Sequence, residues 1–166
     1  MSLYRLSCSR TKPLSLAFGS GFYMIFRKYT KKDKNSVNDI FHLYWDDPEF
    51  IDELNIELEK ADFWVAEENE QIVGVASTRP ASEHLGDSKS LELYIIASRI
   101  KGRGVGSALL QYVEKQIPGM YKHLVLYSPE THKSSWGFYE RNGFESGGII
   151  NDPEDGYPGM LWKKAL

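Results

Sequence analysis

A run of alternating glycines, Lys101-Gly102-Arg103-Gly104-Val105-Gly106-Ser107, carries the strongest chemical signal in this chain. It follows an apolar, strand-like segment, Leu91 to Ala97, and opens a helix-like one. Glycine lets a backbone come close to a ligand, and the first peptide N–H groups of a helix have no intrahelical partner. Several such groups can face one anion, so the run is a phosphate cradle by its chemistry. Two familiar cradles are excluded. A P-loop needs Lys and then Ser or Thr after its last Gly, but Gly106 is followed by Ser107-Ala108. A dinucleotide fingerprint needs a further Gly where this chain has Ser107 or Leu109.

A second run, Phe138-Tyr139-Glu140-Arg141-Asn142-Gly143-Phe144, lies downstream with one strand pattern between. Phe138 and Phe144 read as core aromatics. Tyr139 is a candidate proton donor, because a phenol with an ordinary pKa near ~10 keeps its proton at neutral pH. The two runs, in this order, resemble the coenzyme A pyrophosphate loop and the Phe-Tyr-Glu-Lys-x-Gly-Phe motif of the GCN5-related N-acetyltransferases. Lys101 stands where that family usually has Arg or Gln. The resemblance spans about Phe22 to Leu166.

The resemblance implies an enzyme that moves an acetyl group from acetyl-CoA directly to a primary amine of a small molecule or protein, through a ternary complex. It implies that the backbone of Lys101, Gly102, Arg103, Gly104, Val105, Gly106 and Ser107 faces the pyrophosphate. It implies strand-like contacts from Tyr94, Ile95 and Ile96 to the pantetheine arm. A backbone N–H near Ile96 would serve the oxyanion, turned inward by a bulge. Tyr139 would protonate the leaving thiolate. His132 stands where many members have Asn and is a further cofactor contact. A non-catalytic acyl-CoA sensor with the same fold is the alternative reading. It would need the glycine loop, but neither Tyr139 nor a base.

The base is less marked. Glu92 alternates with Leu91 and Leu93, so it can face a cleft, and burial would raise its proton affinity. Glu83, His84 and Asp87 in the preceding loop are the other candidates. A covalent acyl-enzyme is disfavoured: the chain has no Gly-x-Ser-x-Gly elbow, and its single cysteine, Cys8, lies near the start. One cysteine also excludes an intramolecular disulfide and argues against a Cys-built metal site; no metal is expected.

Composition bounds the rest. At 166 residues the chain fits one domain, and 42% hydrophobic content can fill its core. A net charge of −3 suggests neither a nucleic-acid nor a membrane surface, and no run approaches the ~18 apolar residues of a span. A cytoplasmic monomer or homodimer is expected. Residues 1–21 carry Arg5, Arg10, Lys12 and many serines, and the first acid is Asp33. That composition resembles an organelle transit peptide. The alternative, preferred here, is sequence lying ahead of a start near Met24. Either way the segment is set apart from a domain over 22–166.

The elements that must position the two motifs follow from periodicity. Strands are expected over 22–29, 63–67, 72–79, 90–97, 123–128, 144–150 and 160–164. Helices are expected after Ser36, which with Asp39 could cap one, after Asp47-Pro48, over 105–117 and over 131–142. Strand–helix order indicates a mixed α/β class. The resemblance sharpens it to a three-layer fold: a mixed, mostly antiparallel sheet of about seven strands, about four flanking helices, and central parallel strands that splay apart. The substrate should meet the loops 45–50 and 80–89 and the last hairpin. Asp46, Asp47, Glu49, Glu83, Asp87, Asp152, Glu154 and Asp155 make these acidic, which suits a cationic amine.

Overall fold

Among the described residues, eight strands form one mixed sheet with a single parallel pair. The computed structural model describes residues 13–18, 22–152 and 156–166. The strands are β1 (Leu14–Phe18), β2 (Phe22–Lys28), β3 (Asp62–Glu68), β4 (Gln71–Pro80), β5 (Ser90–Ser98), β6 (His123–Pro129), β7 (Glu145–Asn151) and β8 (Pro158–Ala165). They lie in the order β1-β2-β3-β4-β5-β6-β8-β7. Every neighbouring pair is antiparallel except β5–β6.

The helices are α1 (Lys34–Phe41), α2 (Pro48–Glu57), α3 (Val105–Glu114) and α4 (Trp136–Arg141). Val37, Ile40 and Phe41 of α1 and Ile51 and Leu54 of α2 pack with Val65, Val75 and Ile95 on one face of the sheet. Val105, Leu109, Tyr112 and Val113 of α3 pack on the other, against Phe26, Trp64 and Ala76. Leu110 of α3 and Phe138 of α4 join Leu93, Leu126, Phe144 and the fully buried Trp162 in a third cluster. This is the expected three-layer arrangement with four helices.

Four local expectations are corrected. The sheet starts at Leu14, not Phe22: β1 pairs in register with β2, Leu14 opposite Phe26, and Leu14 packs beside the α3 cluster. Part of the segment set apart as 1–21 is therefore a strand, and residues 1–12, with Cys8, lie outside the described ones. The first helix is not capped by Ser36 and Asp39. A 3-10 turn, Lys31–Asp33, precedes it, and Asp33 Oδ2 accepts from the Thr30 N–H at 2.8 Å and the Thr30 hydroxyl at 2.9 Å. The same carboxylate is gripped by Arg27, at 2.7 and 2.8 Å, and this fixes where the turn begins. The expected helix over 131–142 is broken: a 3-10 turn, Glu130–Ser135, kinks at His132 before α4 starts. Helix α3 ends at Glu114, because Gln116 and Ile117 close tighter bonds to Val113 and Glu114.

Other signals stand as read. Asp47 caps α2, accepting from the Glu49 N–H at 2.9 Å, with Pro48 in the first turn. Asn69 and Glu70 both have positive φ, 50° and 63°, giving the tight hairpin turn between β3 and β4. Gly143, at φ 83°, ends α4, and the Phe144 N–H reaches back to the Tyr139 carbonyl at 3.0 Å.

Candidate active site

Strands β5 and β6 pair over only three positions: Ser90 with His123, Leu91 with Leu124, Glu92 with Val125. Beyond Glu92 the two strands part. On its other side β6 stays paired with β8 along its whole length, from His123–Ala165 to Pro129–Gly159. The facing edges of β5 past Glu92 and of β6 past Val125 thus carry peptide groups without a ladder partner between them. An open edge of this kind accepts an extended ligand as an added strand.

A bulge shapes the β5 edge. Ser77 of β4 pairs with Ile95 but Thr78 pairs with Leu93, so Tyr94 is the extra residue. The bulge reverses the alternation of side chains. Leu93 therefore packs with the α3–α4 side and Ile95 with the α1–α2 side, both buried. Tyr94 joins Ile95 on the α1–α2 side. The bulge lies one and two residues before Ile96, next to the position expected for the oxyanion donor.

The open end of the split is closed by the glycine turn. Gly102 and Gly104 have φ of 77° and 76°, and a Cβ on either would meet nothing within 4 Å. The left-handed backbone requires glycine there, and the space above it is clear. Gly104 is the N-cap of α3, and the first peptide N–H groups of a helix have no intrahelical partner. Gly106 is glycine for another reason. It lies inside α3, where a Cβ would come 3.2 Å from the ring of Phe138. That close contact sets α3 against α4. The turn's side chains do less than its backbone. Arg103 forks onto Glu68 at 2.7 and 3.2 Å, and Lys101 lies 5.4 Å from the Tyr44 ring. Tyr44 itself donates to the Ser98 carbonyl at 2.6 Å, tying the end of α1 to the end of β5. A pyrophosphate with an extended arm fits this arrangement of clear glycine turn and unpaired strand edges.

Tyr139 stands on the β6 side of the split, half-buried among Phe138, Phe144 and Trp162. Burial pushes its phenol above the ordinary range, and a hydrogen bond with Ser135 partly opposes this. Ser135 Oγ also donates to the His132 carbonyl at 2.8 Å and lies 3.3 Å from Ser128 Oγ at the end of β6. Ser128 and Ser135 were not singled out in the sequence; their link to Tyr139 exists only once the turn at Glu130–Ser135 folds back on β6. His132 is exposed at the kink.

Glu92 is buried, on the α1–α2 side of β5. Its two oxygens accept from Arg79, at 2.7 Å from Nε and 3.2 Å from Nη2. The loop candidates fall elsewhere. Asp87 accepts from Ser90 Oγ and the Lys89 N–H, at the paired end of β5. His84 is exposed and lies 3.4 Å from Ser82 Oγ. The expected acidic rim is dispersed. Asp47 is committed to its cap, Asp87 lies at the far end of the strand, and Glu154 and Asp155 lie outside the described residues.

Residues 59–146 match the model of the acetyltransferase (GNAT) domain. The chain belongs to the GNAT acetyltransferase family. A curated relative, N-acetyltransferase 8B of Rattus norvegicus, is 32% identical over 107 residues, which is 61% of this chain and 44% of that protein. The chain spans 39–52% of the length of the curated relatives it matches. Among solved structures, a GNAT-family acetyltransferase from Desulfovibrio desulfuricans superposes with a TM-score of 0.73 at 20% identity, covering 86% of this chain and 98% of that one. A GNAT acetyltransferase from Elizabethkingia anophelis, solved with acetyl-CoA bound, superposes at 0.68 with 21% identity, over 86% and 98%. These likenesses are to the GNAT fold. No helix among the described residues is long and apolar enough to cross a membrane.

Proposed function

We propose that this GNAT chain is an acetyl-CoA-dependent N-acetyltransferase acting on a primary amine. The observation that carries the reading is the split between β5 and β6, lined by unpaired strand edges and closed by a glycine turn with clear space above it. The first-turn peptide groups of α3 hold the pyrophosphate, helped by the helix dipole. The β5 edge at Tyr94, Ile95 and Ile96 takes the pantetheine arm as a strand. His132 is a peripheral contact. Acetyl-CoA supplies the activated acetyl group; the chain supplies orientation and proton transfers.

The acceptor nitrogen must be neutral to attack. Glu92 takes its proton through a water, since Arg79 occupies one side of the carboxylate. The step forms the N–C bond and breaks the C–S bond. A backbone N–H near the bulge stabilises the oxygen charge as it develops. Tyr139 donates its proton to the departing sulfur and is refilled through Ser135. Burial suits Tyr139 to this task, because it keeps the phenol protonated.

The test is release of the CoA thiol from acetyl-CoA across a panel of amines, with cationic ones first. Amine-dependent release supports the reading. Binding of acetyl-CoA with no release on any amine would contradict it and favour the sensor.

A further inference from the structure

We propose that Arg79 is a positioning residue for Glu92: it holds the carboxylate aimed beside Tyr94, where β5 leaves β6. The inference rests on the reading of Glu92 as proton acceptor and names what makes that role workable.

Arg79 and Glu92 are register partners across β4 and β5. The arginine meets Glu92 with Nε and Nη2, and its Cζ lies 3.6 Å from the centre of the Tyr94 ring. One planar group thus grips the carboxylate by its edge and the bulge tyrosine by its face. Both contacts depend on the guanidinium plane, which a lysine ammonium lacks. The bulge makes this possible, because Tyr94 is the unpaired residue and is free to lie under Arg79.

Arg79 is the cation that the surroundings offer Glu92. Its side chain is 8% exposed. On the same sheet face stand Arg79 of β4, Tyr94 of β5 and, across β6, the apolar Val125, with Lys163 one strand further on β8. From α2, Glu53 and Glu57 act electrostatically on Tyr94, and Glu57 on Arg79 as well.

A second arginine grip shows why this one is not merely structural. Asp33 accepts from Arg27 and also from the N–H and hydroxyl of Thr30, four contacts of which three fall on Oδ2. A carboxylate offers about four lone-pair sites. Among the described residues Glu92 takes hydrogen bonds from Arg79 alone, two of them. The remaining sites are open to a water or an acceptor N–H.

The experiment follows Glu92 and Tyr94 together. In the full chain at neutral pH, the carbon-13 carboxyl signal of Glu92, assigned by its loss in Glu92→Gln, and the ring signals of Tyr94 should both move in Arg79→Gln. In Arg79→Lys they should move less, and this variant keeps the test alive if the first fails to fold. In Arg79→Gln kcat should fall by about tenfold, Arg79→Lys should recover part of it, and the KM for acetyl-CoA should stay put. In a Glu92→Gln background, Arg79→Gln should add less than about twofold, because residues acting through one another are not additive. Unmoved signals in a folded Arg79 variant, or losses that multiply, would overturn the proposal. A wild-type chain that acetylates no amine fells the functional reading instead, and the two signals alone then decide whether Arg79 positions Glu92.

Discussion

The two walls of the β5–β6 split are built from different material. The β5 wall presents peptide groups: a bulged strand, a glycine turn and the start of α3. Its side chains are turned away, into core clusters or, as with Arg103 and Glu68, into ion pairs. The β6 wall presents side chains: Tyr139, backed by Ser135 and Ser128, on a short helix after a kinked turn. A wall made of backbone tolerates many residue types and can be damaged only by changing where the backbone goes. A wall made of side chains can be damaged by a single atom.

The largest expected effect is therefore on the second wall. Tyr139→Phe removes one oxygen and keeps the ring among Phe138, Phe144 and Trp162. Turnover should fall by about 10²–10⁴-fold, the usual worth of a placed acid, with acetyl-CoA affinity unchanged. Because the folded phenol titrates above its ordinary value, loss of its proton should not lower turnover at any pH below about 10. Wild-type turnover in the variant would make Tyr139 a packing residue and erase the contrast.

A carboxylate away from both walls serves as the control. Burial alone would raise Asp33, but the bonds from Arg27 and Thr30 outweigh it and hold it below the ordinary value. Its contribution to stability is thus present above the unfolded value of about 3.9 and is lost as pH falls through the lower folded one. Asp33→Asn should cost about 2 kcal/mol at neutral pH, and flatten the acid dependence of melting. Turnover per folded molecule should stay the same. A catalytic loss without a stability loss would tie this network to the site.

Gly106 joins the walls and should show the smallest effect. Gly106→Ala sets a methyl about 3.2 Å from the Phe138 ring, a crowding partly offset by the gain in helix propensity, and should destabilise by about 1 kcal/mol. Pairing it with Phe138→Leu should recover part of that, as judged by thermal melts. No recovery would mean that the glycine serves the ligand rather than the packing.

The glycine turn ahead of α3 was legible in the sequence, and so was the place of Tyr139 on a helix. Glycines at Gly102 and Gly104 report a backbone demand directly, and Tyr139 sits in a local motif. Local signals also located Asp47 as a cap and Gly143 as a stop. What stayed hidden depends on distant pairing. Arg79 has no mark in its own neighbourhood; it meets Glu92 only because β4 and β5 pair in a register that includes a bulge. Thr30 and Asp33, not Ser36, open the first turn, because Arg27, paired with Glu67 of the neighbouring strand, also holds Asp33. Strand β1 lies in the segment set apart for its composition and is recognised by its pairing with β2. The kink at His132 broke a helix that periodicity drew as continuous.

The central claim is that acetyl-CoA is held by the clear backbone at the glycine turn. Calorimetric titration of acetyl-CoA into the wild-type chain and Gly104→Val tests it. At φ 76° a branched side chain is strained and projects into the space where the pyrophosphate must come close. The account predicts saturable one-to-one binding by the wild type and a loss of about 10²-fold or more in a variant that keeps its fold by circular dichroism. Equal affinity in a folded Gly104→Val chain would contradict it.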